Sequence, residues 1–415
     1  MYNNSNHIVS TVKVYCREFR SSRIFQVAVS TVLHGLSLTH YGGYELNRKT
    51  VAVLFGGVSV EHEISLVSSR FIISSFDSSK FALLPIFISK EGRWQRAVVD
   101  NWPDGEPPAL VSDSEIVPML RGFPPGRLAE IVAGQITEVF SVDAVFPVLH
   151  GTFGEDGSVQ GLIDLMGIPC VGADLLGSSL CIDKIVSKNI LRDNGVPVVP
   201  FFGFSKTQWR KAKKQILRRA EDEIGFPCFV KSSNLGSSVG VSRVNSPEAI
   251  ADAVEASFDF SERVIVERAV MNLREVEVSV IGNQDPRASV PGELVVEGGF
   301  YDYQKKYHDE STEFRIPCDL DPEIQERART LALASYTALC CTGMARVDLL
   351  VDADTDQVFV SEINTIPGFT PISMYPKLWE ASGLCVGEML EMLVELAEQR
   401  HRMKRELRTD FSGSS

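Results

Sequence analysis

Four polar residues fall in two neighbouring predicted strands near the end of the chain. The stretches GMARVDLLVD and QVFVSEINT read as strands joined by the turn ADTD. Because side chains alternate along a strand, Arg346 and Asp348 share one face of the first strand, and Glu362 and Asn364 share one face of the second. Antiparallel pairing would bring these groups together. Three of them carry oxygen donors that suit Mg²⁺; the alternative is a solvated sheet face with an Arg–Asp ion pair.

The segment that follows these donors, TIPGFTPISM, favours a binding site over a solvated face. A Gly/Pro turn directly after the strand can bring backbone N–H groups and the Ser373 hydroxyl close to a bound anion. The sequence therefore predicts a magnesium site with an anionic ligand at this end of the hairpin.

A second candidate site lies in the stretch VKSSNLGSSVGV. Lys231 ends a predicted strand, and Gly236 and Gly240 flank Ser237 and Ser238, so backbone amides could approach phosphate oxygens while the lysine adds charge. The alternative is a plain hairpin. The chain has no G-x-x-x-x-G-K-[ST] pattern, and LFGGVS lacks the G-x-G-x-x-G of a dinucleotide fold. Nucleotide binding would therefore use another geometry.

Two further stretches contain polar residues with candidate roles. Lys184 in CIDKIVSK is either a second phosphate lysine or an exposed helix residue. In HGTFGEDGSVQG, glycines surround Glu155 and Asp156 and make the backbone of this loop flexible. We assign both carboxylates to helix N-capping, where they meet free N–H groups.

Bulk composition narrows the possible partners. The chain has 415 residues, with 54 acidic and 41 basic side chains and a net charge of −13. This charge opposes binding to nucleic acid or an anionic membrane, so a small-molecule substrate is favoured. The eight cysteines show no Cys-x-x-Cys spacing and are expected to be reduced, mostly buried thiols rather than zinc ligands or disulfides. An apolar run long enough to span a bilayer is absent from the sequence.

The order of predicted elements indicates a mixed α/β protein of two or three domains. Strands at 51–57, 81–89 and 142–151 alternate with helices, as in a parallel sheet covered by helices. The stretch DNWPDGEPPALVSDSE reads as a surface excursion. Further on, 226–244 resembles two short strands around a Ser/Gly loop, and a closing amphipathic helix covers 386–405.

Between these come a helix at 246–257 and strands near 263–267, 275–281 and 287–296. A loop near 297–312 and a helix follow, and Asp321 is the expected N-cap of that helix, with Pro322 at its first position.

Six motifs, in order, resemble the D-alanine:D-alanine ligases of the ATP-grasp superfamily. They are LFGGVSVEHEISL, HGTFGEDGSVQG, DKIVSK, GSSVG, FYDYQKKY and ARVDLL…SEINTIPGFT, and the resemblance runs from about Val51 to about Leu396. It implies an ATP-grasp fold with an N-terminal parallel α/β domain, a central domain and a C-terminal domain, with ATP held between the last two. The expected boundaries are an extension that is disordered or not native at 1–49, domains at 50–172, 173–266 and 267–405, a lid at 298–312, and a polar tail at 406–415.

The resemblance also implies a reaction. The carboxylate of one D-alanine takes the γ-phosphoryl group of ATP, and the amine of a second D-alanine attacks the acylphosphate, giving D-alanyl-D-alanine for peptidoglycan synthesis. It implies two Mg²⁺ ions, which Mn²⁺ could replace, a cytoplasmic location and a homodimer. Two alternatives stay open: an ATP-grasp ligase with another amino or hydroxy acid acceptor, and a non-catalytic nucleotide-binding regulator.

The resemblance assigns roles residue by residue. The metal ligands would be Asp348, Glu362 and Asn364. The ATP-binding residues would be Lys184, Lys231, Ser238, Glu267, Glu275 and Lys306. The catalytic residues would be Glu61, Ser237, Arg346 and Tyr307, and the substrate-binding residues would be His150, Gly368, Ser373 and Met374.

Some of these roles are more specific. Glu61 would pair with the ammonium of the first D-alanine, with Glu63 a near alternative. Arg346 and backbone near Gly368 would stabilise the oxyanion of the second step. His150 would lie beside the first carboxylate, or else be a hydrogen-bonded structural histidine.

Other roles concern the lid and the nucleotide. Tyr307 would lock the lid by reaching Ser237 and Glu61, Lys306 would lie near the nucleotide, and Glu275 would accept from the ribose. Ser373 and Met374 would line the second D-alanine site. Ser232 departs from the family pattern, in which proline usually follows the lysine.

Overall fold

A computed structural model describes residues 48–100, 102, 106–111, 113–119, 125–236, 240–295 and 313–408. The described residues all belong to one compact unit. They form helices and several β-sheets, which confirms the predicted mixed α/β class.

The elements up to residue 193 form two sheets and the helices beside them. In chain order they are β1 (Lys49–Gly56), α1 (His62–Ser75), β2 (Phe81–Ile88), β3 (Trp94–Val98), β4 (Ala109–Leu110), β5 (Ser114–Pro118), β6 (Arg127–Val132), β7 (Gln135–Ser141), β8 (Ala144–Val148), α2 (Ser158–Leu165), α3 (Leu175–Ile182) and α4 (Lys184–Asp193).

The first sheet has the order β4-β3-β2-β1-β8, with β1 parallel to both β2 and β8. The run Val51–Phe55 is buried throughout, as expected for a parallel strand covered on both faces. The loops after β1 and β8 leave the same edge of the sheet, and they carry Glu61 and His150. Ligands of open parallel sheets bind beyond this carboxyl edge, so the fold itself brings these two residues together.

The prediction that DNWPDGEPPALVSDSE is a surface excursion is partly wrong. The stretch contains β4 and the start of β5, and β5, β6 and β7 form a separate antiparallel sheet. Ile116 and Leu128 are buried beneath it. The Pro- and Asp-rich composition concealed this short alternation of apolar and polar residues.

The next elements form a four-stranded antiparallel sheet of order β11-β10-β12-β9. They are β9 (Phe201–Ser205), α5 (Lys206–Arg219) with a π-helical turn at Ala220–Ile224, β10 (Cys228–Ser232), β11 (Val241–Val244), α6 (Pro247–Ser257) and β12 (Arg263–Arg268). The hairpin predicted at 226–244 is confirmed by β10 and β11. Helices α5 and α6 pack on one face through Phe204, Trp209 and Val254.

The last elements form a six-stranded antiparallel sheet in which β16-β15-β13-β17-β18 are neighbours and β14 also pairs with β13. They are β13 (Leu273–Gly282), β14 (Arg287–Ala288), β15 (Gly292–Val295), β16 (Glu313–Arg315), α7 (Pro322–Ala338), β17 (Gly343–Asp352), β18 (Gln357–Asn364), α8 (Met374–Ala381) and α9 (Val386–Arg405). Asp321 caps α7 by accepting from the Glu323 N–H at 2.9 Å, and α9 has the predicted bounds. The single strand predicted at 287–296 is instead two, with Pro291 between them, since proline cannot donate to a ladder.

The first sheet and the C-terminal helices share one apolar core. Phe146 of β8 belongs to the same buried cluster as Met344, Tyr375 and Leu390. On the surface beside this core, Lys49 pairs with Glu398 at 2.7 Å. The two ends of the described fold are therefore packed against each other.

Five of the seven described cysteines are buried, as predicted, while Cys340 and Cys385 are exposed. Across the described ranges, no helix is both long enough and apolar enough to cross a membrane.

Candidate active site

The four polar residues of the β17–β18 hairpin lie on one face of the six-stranded sheet. Asp348 pairs across the strands with Glu362, and Arg346 pairs with Asn364. The register shifts after Asp348, where β18 carries one extra residue. The Asn364 side-chain amide donates to the Asp348 carboxylate at 3.0 Å. The structure thus brings the predicted metal ligands together.

Arg346 is buried among carboxylates rather than exposed on a solvated face. Its guanidinium donates two hydrogen bonds of 2.7 Å to Asp348 and lies 3.0 Å from a Glu277 oxygen, and only 6 % of the residue is exposed. Burial opposes the charge, but the carboxylates of Asp348 and Glu277 outweigh it and raise the pKa of Arg346 well above its usual value. The Arg346–Asp348 ion pair of the alternative interpretation is therefore present, but it is buried rather than on a solvated sheet face.

Lys184 is not the exposed helix residue of the alternative interpretation. It begins α4 and is buried, donating to the Leu235 carbonyl at 2.8 Å and pairing with Glu362 at 2.9 Å. Asp183 caps the same helix by accepting from the Ile185 and Val186 N–H groups at 3.0 Å. The cap holds the first turn of α4 so that the Lys184 ammonium faces the hairpin carboxylate.

Lys231 and Glu267 lie opposite the hairpin, on neighbouring strands of the four-stranded sheet. The Lys231 ammonium is 2.7 Å from Glu267, whose second oxygen is 3.2 Å from Lys188. Burial alone would raise the pKa of Glu267, but the two ammonium groups dominate and lower it to about 2. This glutamate is therefore ionised at any physiological pH.

A cleft between the four-stranded and six-stranded sheets collects most of the predicted nucleotide and metal residues. We call it the inter-sheet cleft; its lining includes Lys184, Lys231, Glu267, Glu275, Asp348 and Glu362. It combines two ammonium groups with several carboxylates on opposing walls. Such an arrangement can hold a polyanion together with a divalent cation.

A second cavity, the His150 pocket, collects the predicted substrate residues. Its lining includes Glu61, His150, Asn364, Gly368, Ser373 and Met374. Arg346, Glu277, Gly236 and Leu294 line both cavities, so the two meet there. A group transferred from one cavity to a ligand in the other would pass beside the Arg346 guanidinium.

The geometry separates Glu61 from Glu63. Glu61 is buried against the pocket, and a Cβ placed on Gly151 would come within 2.6 Å of its carboxylate, so the chain passes very close to it. The Glu63 side chain is 63 % exposed and pairs with Lys90 at 2.5 Å. The hydrogen bond from Lys90 lowers the pKa of Glu63, although burial slightly opposes this. Of the two, Glu61 is the residue that faces the pocket.

His150 is held by hydrogen bonds on both ring nitrogens. Nδ1 is 3.0 Å from the Ile366 carbonyl, and Nε2 is 3.0 Å from the Ser68 hydroxyl. Since a carbonyl only accepts, Nδ1 carries a proton and the Ser68 hydroxyl can donate to Nε2. The ring therefore ties α1 to the turn after β18, as a structural histidine would, while it also lines the pocket.

The capping assignment is wrong for Glu155 and only partly right for Asp156, because the N-cap residue of α2 is Gly157. Asp156 accepts from the N–H of Ser158, the first residue of α2, at 2.9 Å. Glu155 instead accepts from the Gly151 N–H at 2.7 Å and closes the loop on itself. The helix begins two residues after Asp156, which puts Glu155 too far back to cap it.

The turn after β18 is tightly built. The Ser373 hydroxyl accepts from the Thr370 N–H at 3.0 Å, and a Cβ on Gly368 would lie 3.0 Å from that hydroxyl. Met374 is buried against Leu378. Ser237, Ser238, Lys306 and Tyr307 lie outside the described residues, as does the predicted lid at 298–312.

Three residues that the structure places in or beside the site were not predicted from the sequence: Lys188, Glu277 and Ser68. Two of them carried a usable signal. Glu277 is two residues from Glu275 on the same strand, and Lys188 is one helical turn after Lys184, so each shares a face with a residue already identified. Ser68 had no such signal in the sequence.

Two sequence profiles of known families match this chain. The profile described as D-ala D-ala ligase N-terminus matches residues 50–173, and the profile described as D-ala D-ala ligase C-terminus matches residues 190–395. The D-alanine--D-alanine ligase of Clostridium acetobutylicum is 39% identical over 357 residues, covering 85% of this chain and 99% of that protein. D-alanine--D-alanine ligase A of Escherichia coli K12 is 40% identical over 367 residues, covering 88% and 100%.

Solved structures show the same similarity. The D-alanine-D-alanine ligase from Coxiella burnetii gives a TM-score of 0.74 at 34% identity, covering 86% of this chain and 96% of that chain. VanG D-Ala:D-Ser ligase from Enterococcus faecalis gives 0.73 at 32% identity, covering 85% and 100%. The similarity thus extends over nearly the whole of each solved chain.

Proposed function

The chain belongs to the D-alanine–D-alanine ligase family, and from this membership we infer that it joins two D-alanine molecules at the expense of ATP. The products are D-alanyl-D-alanine, ADP and phosphate, and the dipeptide enters peptidoglycan synthesis. The fold is the ATP-grasp fold of its structural neighbours. One observation supports the assignment of roles to residues: the inter-sheet cleft and the His150 pocket meet at Arg346.

In the first step, the carboxylate of one D-alanine takes the γ-phosphoryl group of ATP. We propose that the inter-sheet cleft binds ATP, with Lys184 and Lys231 at the phosphates and Glu275 and Glu267 toward the nucleoside. Phosphoryl transfer needs little covalent assistance from the protein, so positioning and charge neutralisation carry the catalysis. The buried position of Lys184 beside Glu362 supports this role.

Asp348, Glu362 and Asn364 are the proposed ligands of Mg²⁺, and their chemistry fits that ion. Mg²⁺ usually takes one or two carboxylates and completes its shell with water and substrate phosphates. When bound, Mg²⁺ would neutralise charge on the phosphates; the family suggests two such ions, or Mn²⁺ in their place.

In the second step, the amine of the other D-alanine attacks the acylphosphate and phosphate leaves. We propose that Arg346 stabilises the negative charge that develops on the carbonyl oxygen. Its hydrogen bonds to Asp348 fix the guanidinium before the reaction begins. Backbone near Gly368 would assist, and Ser373 and Met374 would contact the second D-alanine.

Glu61 is proposed to hold the ammonium of the first D-alanine. A hydrogen bond to a charged group contributes about 1.5–3 kcal/mol, so Glu61→Gln should raise the KM for the first D-alanine roughly 10- to 100-fold. Initial rates of ADP release over a D-alanine titration measure this change.

Glu63→Gln is the matched control, because the same substitution then falls on the exposed side chain that pairs with Lys90. Its KM should stay within about twofold of the parent value, as exposed ion pairs contribute little. Equal effects of the two substitutions would contradict the assignment of Glu61.

The identity of the acceptor needs a direct test, since one structural neighbour is a D-Ala:D-Ser ligase. We expect ATP consumption with D-alanine alone, and a product with the mass of D-alanyl-D-alanine. D-serine or D-lactate, each offered with D-alanine, should yield less mixed product. If D-alanine gives no turnover while another acid does, the chain is a different ATP-grasp ligase; if no acid stimulates ATP consumption, it is a nucleotide-binding regulator.

The remaining proposals concern organisation and location. We propose domains at 50–172, 173–266 and 267–405, followed by a polar tail at 406–415; the first domain begins one residue earlier than predicted, because Lys49 is the first residue of β1. We also propose a homodimer in the cytoplasm. Support for this location comes from the ATP requirement and the mostly buried free cysteines. Light scattering on the purified chain tests the dimer.

A further inference from the structure

Lys188 is a fully buried lysine that has no role in the reaction described above. It lies one turn after Lys184 on α4, and 1 % of its side chain is exposed. Its ammonium is 3.2 Å from Glu267 in the four-stranded sheet, and it donates to the Val360 carbonyl of the six-stranded sheet at 3.4 Å. Lys188 therefore contacts both of the sheets that form the inter-sheet cleft, although it does not line the cleft itself.

Glu267 pairs with two lysines rather than one. Lys188 and Lys231 together place two ammonium groups on one carboxylate that is 2 % exposed. The two lysines differ in access, because 18 % of the Lys231 side chain is exposed and it lines the cleft, whereas Lys188 is buried. One lysine is enough to compensate the carboxylate, and only Lys231 can also reach a ligand in the cleft.

This arrangement matters when an anion arrives. Phosphates in the cleft would attract the Lys231 ammonium away from Glu267. A buried carboxylate left without a partner is strongly destabilising, so in the absence of another cation Lys231 would stay on Glu267. Lys188 supplies that other cation from a position where no ligand competes for it.

We propose that Lys188 is a positioning residue that keeps Glu267 compensated, so that Lys231 is free to turn from Glu267 to the phosphates of the nucleotide. The proposal rests on the phosphate-binding role proposed for Lys231. According to this proposal, Lys188 contributes to the affinity for the phosphates of the nucleotide and not to the affinity for its nucleoside part, although Lys188 itself touches no ligand.

The proposal predicts a phosphate-specific loss of affinity in Lys188→Met. In this variant Lys231 should stay on Glu267, so the dissociation constant for ADP should rise roughly 10- to 100-fold, while that for adenosine should change by less than about threefold. Calorimetry with ADP and a competition titration with adenosine measure the two constants. Lys188→Arg, which keeps the charge, should restore most of the ADP affinity.

Two further variants separate this role from a purely structural one. In the Glu267→Gln background there is no carboxylate charge to compensate, so adding Lys188→Met should change ADP affinity by less than about threefold. Ser187→Ala is the matched control: Ser187 is a buried polar neighbour on α4 that bonds to the Lys184 carbonyl at 3.3 Å, and its loss should leave ADP affinity unchanged.

The outcomes are decisive in each case. If Lys188→Met weakens adenosine as much as ADP, or loses as much affinity in the Glu267→Gln background as in the parent, Lys188 is a structural staple and the proposal is wrong. If Lys188→Met fails to fold, the test falls on the double variant Lys188→Met/Glu267→Gln. This variant should fold and bind ADP as tightly as Glu267→Gln does, and the proposal is wrong if it does not.

The test also distinguishes this inference from the proposed function. If the parent protein does not bind ADP, or if Lys231→Met leaves ADP affinity unchanged, the nucleotide site itself is misassigned. If Lys231→Met weakens ADP and Lys188→Met does not, only the role of Lys188 is wrong.

Discussion

Glu362→Gln is expected to lower the turnover number at least about 10³-fold while leaving the fold intact. Such a loss corresponds to about 4 kcal/mol of transition-state stabilisation. A metal ion that neutralises charge on a phosphoryl group can contribute stabilisation of this size. Glutamine has nearly the shape of glutamate, and it can still accept from Lys184, which is 2.9 Å from Glu362. The substitution therefore removes a charge from the proposed metal site with little change in packing.

ADP release and thermal melting, measured on the same preparation, check this expectation. The concentration of Mg²⁺ at half-maximal rate should also rise. Glu388→Gln makes the same chemical change on the exposed surface of α9 and should leave the rate unaltered. A Glu362→Gln variant with near-normal turnover would show that this residue is not a metal ligand.

Arg346→Lys should lower dipeptide formation by roughly 10²- to 10³-fold, the usual effect of removing one donor to a developing oxyanion. Lysine keeps a positive charge between Asp348 and Glu277 but loses the planar fork that makes two bonds to Asp348. The ammonium then has no fixed direction toward the reacting carbonyl. Because the buried carboxylates keep a counter-ion, we expect only a modest loss of stability.

The matched control for this substitution is Arg274→Lys. Arg274 makes two bonds of 2.6 Å to Glu293 on the same sheet but lines neither the inter-sheet cleft nor the His150 pocket. Mass-spectrometric quantification of the dipeptide, with melting temperatures for both variants, compares them. Equal activities in the two variants would remove Arg346 from the chemistry.

Much of the site geometry follows from alternation along strands. Arg346 and Asp348 had to share a face, as did Glu362 and Asn364, and antiparallel pairing then placed all four together. The pairing register was not predictable, because the extra residue in β18 shifts it beside Asp348 and such bulges leave little trace in a sequence. The burial of this face was not predictable either, since it depends on the opposite wall of the cleft.

Contacts between distant segments explain most of what the sequence did not predict. In the sequence alone Lys184 also fits an exposed helix residue, and its burial and its 2.9 Å approach to Glu362 exclude that interpretation. The same is true of Lys188, whose partners Glu267 and Val360 come from two different sheets. In the N-terminal part, Pro- and Asp-rich residues conceal β4 and β5, because short strands depend more on neighbouring strands than on their own composition.

The apolar core shared by β8 and α9 has a consequence for synthesis of the protein. Phe146 is made long before Leu390, yet both belong to one buried cluster. During synthesis on the ribosome, part of the apolar surface of the first sheet therefore stays exposed until α9 emerges and covers it. Nascent chains that end before α9 should therefore expose this apolar surface, and the core is closed only after α9 has been made.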